Sequence, residues 1–315
     1  MPSSAVRAFS DPHEYAAAIR QGTHQLIVTQ SGSFAAKLSR IDFHRLWMQR
    51  FSENLARNSH VDGWGGRAVI AFRTEPGPSL VRNGTELSPS SISWLRPGQS
   101  YFQRSAGRSA YSTMSLPLEE LTVFSRAIIG RELLVPSDAR TVVPAPGTMA
   151  RLQRLHAAAA TLAEDAPEVL CHPDASRGLE QALIEAMVEC LGSEDMEEDR
   201  AASRQHAAIM RRFHQVIDQH LDQPLYTLEL CGEIAVSERT LRTCCQEYLG
   251  MSPKHYLLLR RMHLVRRALR ESTPTSTTVT EIATRYGFWQ FGRLAVEYKA
   301  LFGESPSATL SRRRD

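Results

Sequence analysis

Leu230–Pro253, LCGEIAVSERTLRTCCQEYLGMSP, and Ala283–Pro306, ATRYGFWQFGRLAVEYKALFGESP, carry one pattern twice, 53 positions apart. Leu241 superposes on Leu294, Gly250 on Gly303, Ser252 on Ser305 and Pro253 on Pro306. Self-similarity of this kind marks one supersecondary unit used twice. Each copy reads as a short helix, a three- or four-residue turn and a second helix, which is the form of a helix-turn-helix whose second helix can enter a DNA major groove.

In the first copy Ser237 stands at an N-cap before a predicted helix over Glu238–Tyr248, with Leu241, Cys245 and Tyr248 on its inner face. The outer face is left with Arg239, Arg242, Thr243 and Gln246. Arginine can hold O6 and N7 of guanine with two bonds at once, so Arg239 and Arg242 are the expected base readers; the plainer reading of each is a solvated helix face. In the second copy the predicted helix, about Gln290–Leu301, presents Phe291, Gly292, Arg293, Ala295 and Val296 outward, a poorer polar set. Gln290, Arg293 and Lys299 are therefore expected at phosphates, Phe291 or Val296 against a thymine methyl, and Phe288 and Trp289 in packing. Between the copies Pro253 opens a long helix to about Arg270, whose Tyr256, Leu257, Leu264, Val265 and Leu269 can bury against both units. Such a spacer would hold the two reading helices about one DNA turn, roughly 34 Å, apart.

Charge follows the same division. Residues 205–315 hold 16 Lys+Arg against 11 Asp+Glu, and the first 204 residues hold 21 against 23, within a total of +3 over 315 residues. A basic carboxyl-terminal third joined to a slightly acidic remainder suits a DNA-binding module with a separate sensing part. No apolar run is long enough to span a membrane and no secretory leader pattern opens the chain. The five cysteines, Cys171, Cys190, Cys231, Cys244 and Cys245, are scattered without metal-ligand spacing, which fits reduced thiols in a cytoplasm.

From about Gly22 to Leu116 short runs (Gln25–Gln30, Ala68–Arg73, Ile92–Leu95, Ala110–Ser115) alternate with Gly, Pro and Asn-Gly signals. That rhythm predicts an antiparallel sandwich or barrel of roughly 100 residues, within an amino-terminal domain taken as residues 1–145. Val142–Gly147 reads as a linker, and Thr148–Ala163 and Asp174–Leu191 read as helices within a segment 146–203. On the second of these, Leu179, Leu183, Ala186 and Cys190 form a stripe that packs either on its own barrel or on a second subunit. The acidic run Glu194–Asp199 reads as a solvated hinge before an all-α domain over 204–315.

These residues resemble the AraC/XylS family of bacterial transcription regulators. Ala283, Gly287-Phe288, Leu294, Tyr298-Lys299, Phe302-Gly303 and Ser305-Pro306 match positions used in that family's second unit. Ser237, Arg239, Leu241, Gly250, Ser252-Pro253, Tyr256 and Arg261 match the first, while Cys245 departs from the aromatic residue usual there. The resemblance implies an α+β chain: a cupin-like β-barrel that binds an effector, a helical dimerisation segment, and a carboxyl-terminal domain with two helix-turn-helix units. It implies promoter DNA, RNA polymerase, a small-molecule effector and a second copy of the chain as partners. Effector identity does not transfer in this way.

If the barrel is right, its pocket candidates are Trp47, Trp64, Trp94, Tyr101 and Tyr111 with Arg50, Arg73 or Arg96, since ligand sites combine aromatic walls with few polar anchors. Arg104 and Arg108, spaced RxxxR, could grip an anion. His44, His60, His156, His172 and His206 are isolated, so neither a metal nor a cofactor is expected. The reading is an effector-responsive activator rather than an enzyme. Its rivals are a ligand-independent or repressing regulator whose first domain only dimerises, and a DNA-modifying protein using Cys171-His172 or Cys244-Cys245.

Overall fold

The computed structural model describes residues 2–20, 22–63, 65–136, 139–192, 196–197, 201–220 and 225–312. Trp64 and most of the acidic run Glu194–Asp199 lie outside the described residues. The chain opens with β1 (Ser3–Phe9), α1 (Pro12–Ala18), β2 (Gly22–Val28), β3 (Ala36–Asp42), β4 (Trp47–Glu53), β5 (Arg57–Gly63) and β6 (Arg67–Arg73). Then follow β7 (Leu80–Arg82), β8 (Thr85–Glu86), β9 (Ile92–Leu95), β10 (Ser100–Ser105) and β11 (Ser109–Pro117). Helices α2 (Leu118–Ile129), α3 (Pro146–Asp165), α4 (Pro167–Cys171) and α5 (Pro173–Leu191) come next, with the short strands β12 (Arg140–Val142) and β13 (Met196–Glu197) among them. The rest is helical: α6 (Ala201–Gln219), α7 (Thr227–Ile234), α8 (Glu238–Leu249), α9 (Pro253–Glu271), α10 (Val279–Arg285), α11 (Phe291–Phe302) and α12 (Pro306–Ser311).

The strands form two antiparallel sheets, one ordered β1-β3-β4-β11-β6-β9-β12-β13 and the other β2-β5-β10-β7-β8. From β4 onward the chain passes back and forth between them, so strands that pair are mostly distant in sequence. The expected barrel is therefore two opposed sheets not closed into one continuous ladder. The cupin-like expectation is met in this open form. At one end Phe9, Leu38, Phe51 and Tyr111 meet Val28 and Leu80 in a shared apolar core, with Tyr15 of α1 as its plug.

The outer face of the larger sheet is covered by helices. Ile41, Met48, Ile70, Trp94 and Met114 pack with Leu121, Leu152, Leu183 and Met187. The stripe Leu183, Ala186 and Cys190 of α5 is fully buried here, and Leu179 is partly buried against it. Of the two partners considered for that stripe, the chain's own sheet is the one that covers it. The linker foreseen over Val142–Gly147 is shorter, since Val142 still pairs with Ile92 and α3 begins at Pro146.

The outer face of the smaller sheet packs on the carboxyl-terminal helices. Ile27 and Phe102 belong to the same core as Phe213, Leu241, Tyr248 and Val265. His60 stacks on His214 with ring centroids 3.4 Å apart, and Asn58 donates to the Leu249 carbonyl at 3.0 Å. Polar links close the rim: Gln25 to Asp218 at 2.9 Å, His263 to the Val28 carbonyl at 3.1 Å, and Asp11 to Arg266 at 2.5 Å.

Two histidines of the smaller sheet, His60 at this junction and His24 on the sheet's inner face, make stability sensitive to acid. Burial, aided by Arg57, holds His24 at about 3, and burial, aided by His214, holds His60 at about 3, against an ordinary 6.5. The unfolded chain takes up protons below its ordinary histidine pKa that the folded chain refuses until about pH 3. The stabilisation is thus complete above the ordinary value and is lost as pH falls through that window. The unfolding midpoint is expected to drop between about pH 7 and 5, and His60→Gln to flatten that slope; a calorimetric midpoint that is level over this range contradicts the assignment.

Candidate nucleic-acid interface

Each repeated residue has a definable task. Ser237 accepts the Thr240 N–H at 3.1 Å and caps α8. Ser252 and Ser305 accept from the amides of His255 at 3.3 Å and Ala308 at 3.1 Å, and Pro253 and Pro306 occupy the first turns that follow, where a missing N–H is harmless. Gly250 (φ 70°) and Gly303 (φ 77°) end α8 and α11 in the left-handed conformation, which only glycine adopts without strain.

In the first unit Leu241, Cys244, Cys245 and Tyr248 are buried, and Arg239, Arg242, Thr243 and Gln246 are exposed. Cys245, in place of an aromatic ring, is fully enclosed. Arg242 meets Glu238 at 3.1 Å, but both side chains are more than half exposed, so the pair is weak and exchangeable. Thr243 bonds back to the Arg239 carbonyl at 3.0 Å.

In the second unit Leu294, Tyr298 and Leu301 face inward, with the Tyr298 hydroxyl 2.9 Å from that of Thr309. Gln290, Arg293, Val296 and Lys299 are exposed, and Arg293 bonds Glu297 at 2.7 Å. The turn differs from its counterpart. Three residues join α7 to α8, whereas five join α10 to α11. The longer turn sends Phe288 inward beneath the Arg261 guanidinium, 5.1 Å from its ring. Trp289, expected in packing, instead stands 78% exposed, and Val296 is 71% exposed. The spacer α9 buries Tyr256, Leu257, Leu264, Val265 and Leu269, as its pattern requires.

Among the pocket candidates, the structure brings Trp47, Arg96 and Tyr101 together around a cavity of about 30 Å³, completed by Arg67, Val69, Leu95 and Gln99. Trp47 is clamped between the guanidiniums of Arg20 (4.1 Å) and Arg67 (3.7 Å). The others are elsewhere. Trp94 is buried among the helices outside the larger sheet. Arg50 and Arg108 both bind Glu75, at 3.0 and 3.3 Å. Arg104 lies against Gly250 at the end of α8, so Arg104 and Arg108 do not converge on a common guest. A wider cleft of about 460 Å³ lies between α1, β2 and α9, but its Arg270 is occupied by Glu14 at 2.6 Å and its Arg266 by Asp11.

Sequence reasoning missed Arg57, Arg82 and Gln103, a buried polar group between the sheets; its one signal was charge inside a strand pattern.

Residues 230–312 match the family described as helix-turn-helix domain. The "XylDLEGF operon transcriptional activator 3" of Pseudomonas putida is 38% identical over 104 residues, 33% of this chain and 31% of that protein. The "Probable thc operon regulatory protein" of Rhodococcus erythropolis is 35% identical over 149 residues, 46% of this chain and 44% of that protein. The carboxyl-terminal domain is of the AraC/XylS type. The matched region spans less than half the length of these two relatives. The crystal structure of the AraC-like transcriptional activator CuxR aligns with 90% of this chain and 100% of its own at 13% identity and a TM-score of 0.45.

In this AraC/XylS-type domain the adjacent thiols are poor nucleophiles. Burial pushes Cys244 up to about 11 and Cys245 higher still, so both stay protonated at neutral pH. No group of His, Cys, Asp and Glu placed to hold a metal occurs among the described residues, and no described helix is long and apolar enough to cross a membrane.

Two substitutions separate scaffold from surface. Ser237→Ala removes a cap and is expected to destabilise the chain by about 1 kcal/mol in thermal unfolding. Trp289→Ala removes an exposed ring and is expected to shift stability by less than about 0.5 kcal/mol while weakening DNA binding; the reverse pattern would make Trp289 a packing residue.

Proposed function

We propose that this chain is an effector-responsive transcription factor, acting as an activator, that reads promoter DNA in two successive major grooves. The observation that supports this most is the division of α8 into a buried apolar face and an exposed face carrying Arg239, Arg242, Thr243 and Gln246. A helix held rigidly on one side, with donors on the other, suits base edges. At α11 the exposed Gln290, Arg293 and Lys299 suit phosphates, and the exposed Val296 or Phe291 suits a thymine methyl.

The two-sheet domain is read as the effector sensor. It packs directly on α6, α8 and α9, so occupancy between its sheets bears on the reading heads. RNA polymerase and a second copy of the chain complete the proposed partners, in keeping with relatives whose names are those of operon activators. The activity proposed is recognition and recruitment, without catalysis.

The test is fluorescence anisotropy on the chain's own upstream DNA against a random duplex, at two salt concentrations. Arg242→Ala should cost on the order of 1–3 kcal/mol at the specific site and relax preference at one base pair. Equal loss on both duplexes would assign Arg242 to phosphate, and equal binding of the unaltered chain to both would count against sequence reading.

A further inference from the structure

The repeat, 53 positions apart, allows the two reading helices to be compared residue by residue. With about 100° between successive residues, the line opposite the buried face of α8 carries Arg239, Thr243 and Gln246, with Arg242 at its edge. All four are exposed. The same line on α11, opposite Leu294, Tyr298 and Leu301, carries Gly292, Val296 and Lys299, with Ala295 at its edge. These four are exposed as well. Gly292 thus stands where the first head has Arg239, Ala295 where it has Arg242, Val296 where it has Thr243 and Lys299 where it has Gln246. Gly292, Ala295 and Val296 bring no polar side-chain atom, and Lys299 brings only a cation.

The other polar side chains of α11 do not make up the loss. Arg293 lies on the flank, where its Nε donates to Glu297 at 2.7 Å. Tyr298 is turned inside, its hydroxyl paired with that of Thr309. Gln290 precedes the helix as its N-cap. What the face does offer is apolar contact. Val296 is 71% exposed, so its methyls are free to bury against a partner. Open space surrounds the place a Cβ would take at Gly292, so the first turn presents bare backbone that a surface can approach closely. In the major groove one base carries an apolar group, the 5-methyl of thymine; cytosine has hydrogen there. Lys299 on the same face suits a phosphate beside such a contact.

We propose that the second head recognises DNA through the 5-methyl groups of pyrimidines, held against Val296 and Ala295, while the first head reads by hydrogen bonds. The proposal rests on the reading of two successive major grooves and adds how the second is read. It has a specific consequence. A 5-methylcytosine presents the same group at the same ring position, so methylating a cytosine in the second half-site supplies the contact that thymine supplies.

The test uses the full chain and a site selected from random duplexes, its halves assigned by reselection with Arg242→Ala, which relaxes the half read by the first head. Fluorescence anisotropy then compares duplexes altered in one half at a time. Deoxyuridine for thymidine removes only a methyl, and 7-deazaguanine for guanine removes only the N7 acceptor. In the second half deoxyuridine should weaken binding about fourfold for each methyl contacted, and 7-deazaguanine should change nothing. In the first half 7-deazaguanine should cost on the order of tenfold. At a sensitive thymine, cytosine should bind more weakly than 5-methylcytosine. Val296→Ala, at an exposed helical position, should unfold no lower than the unaltered chain and should abolish the deoxyuridine effect at one position. Gly292→Arg with Val296→Thr should, on reselection, enrich a second half that depends on guanine N7. Deoxyuridine tolerated throughout the second half overturns the proposal, as does a deoxyuridine effect undiminished in Val296→Ala, or 7-deazaguanine costing as much in the second half as in the first. If deoxyuridine is tolerated and Val296→Ala instead weakens association between chains, the apolar face belongs to a second copy. With no sequence enriched at all, the regulatory reading falls and takes this one with it; an enriched site indifferent to methyls overturns this inference alone.

Discussion

Strands β5 and β10 must satisfy two cores at once, and the rest of the molecule is arranged around that requirement. Inward they carry Arg57, Ser59, Tyr101 and Gln103; outward they carry Asn58, His60, Phe102 and Arg104, against α6 and α8. Phe102 sits in one apolar cluster with Phe213, Leu241 and Tyr248, so the core of the first reading head is completed by the other domain. Apolar burial is non-directional and proportional to area, and it holds the two domains together. The polar links at the rim, Gln25 to Asp218 and Asp11 to Arg266, fix their register.

The helical domain was legible because its signals are local. Ser before a helix, Pro at its first turn, Gly after its end and a 3.6-residue apolar stripe all act within a few positions, and all recur 53 residues on. What was hidden there depended on the length of one turn. Five residues instead of three turn Phe288 in and Trp289 out, and the repeat alone places both rings in packing.

The sheets were harder to read because several strands are buried on both faces. Every residue of β11 from Ser109 to Leu116 is buried, the inner side by the opposite sheet and the outer by helices, so alternation of polar and apolar is lost. In β5 the sequence RNSH has the look of a surface turn, yet all four are enclosed by partners from elsewhere in the chain. The arginines followed the same logic. Arg104 and Arg108 are close in sequence and diverge, whereas Arg57, Arg82 and Gln103 converge only through strand register.

That register ties the interior of the two-sheet domain to the carboxyl-terminal helices. Gln103 lies inside and Arg104, the next residue, lies against Gly250 at the end of α8; Ser59 lies inside and Asn58 binds the Leu249 carbonyl one residue earlier in that helix. A strand in a hydrogen-bonded ladder moves as a unit, so a displacement that tightens the inner layer also carries the outer contacts. A ligand shifts a conformational balance only by binding one state better than another. The end of α8 is anchored to the smaller sheet through Asn58 and Arg104, so any displacement of that sheet also moves α8.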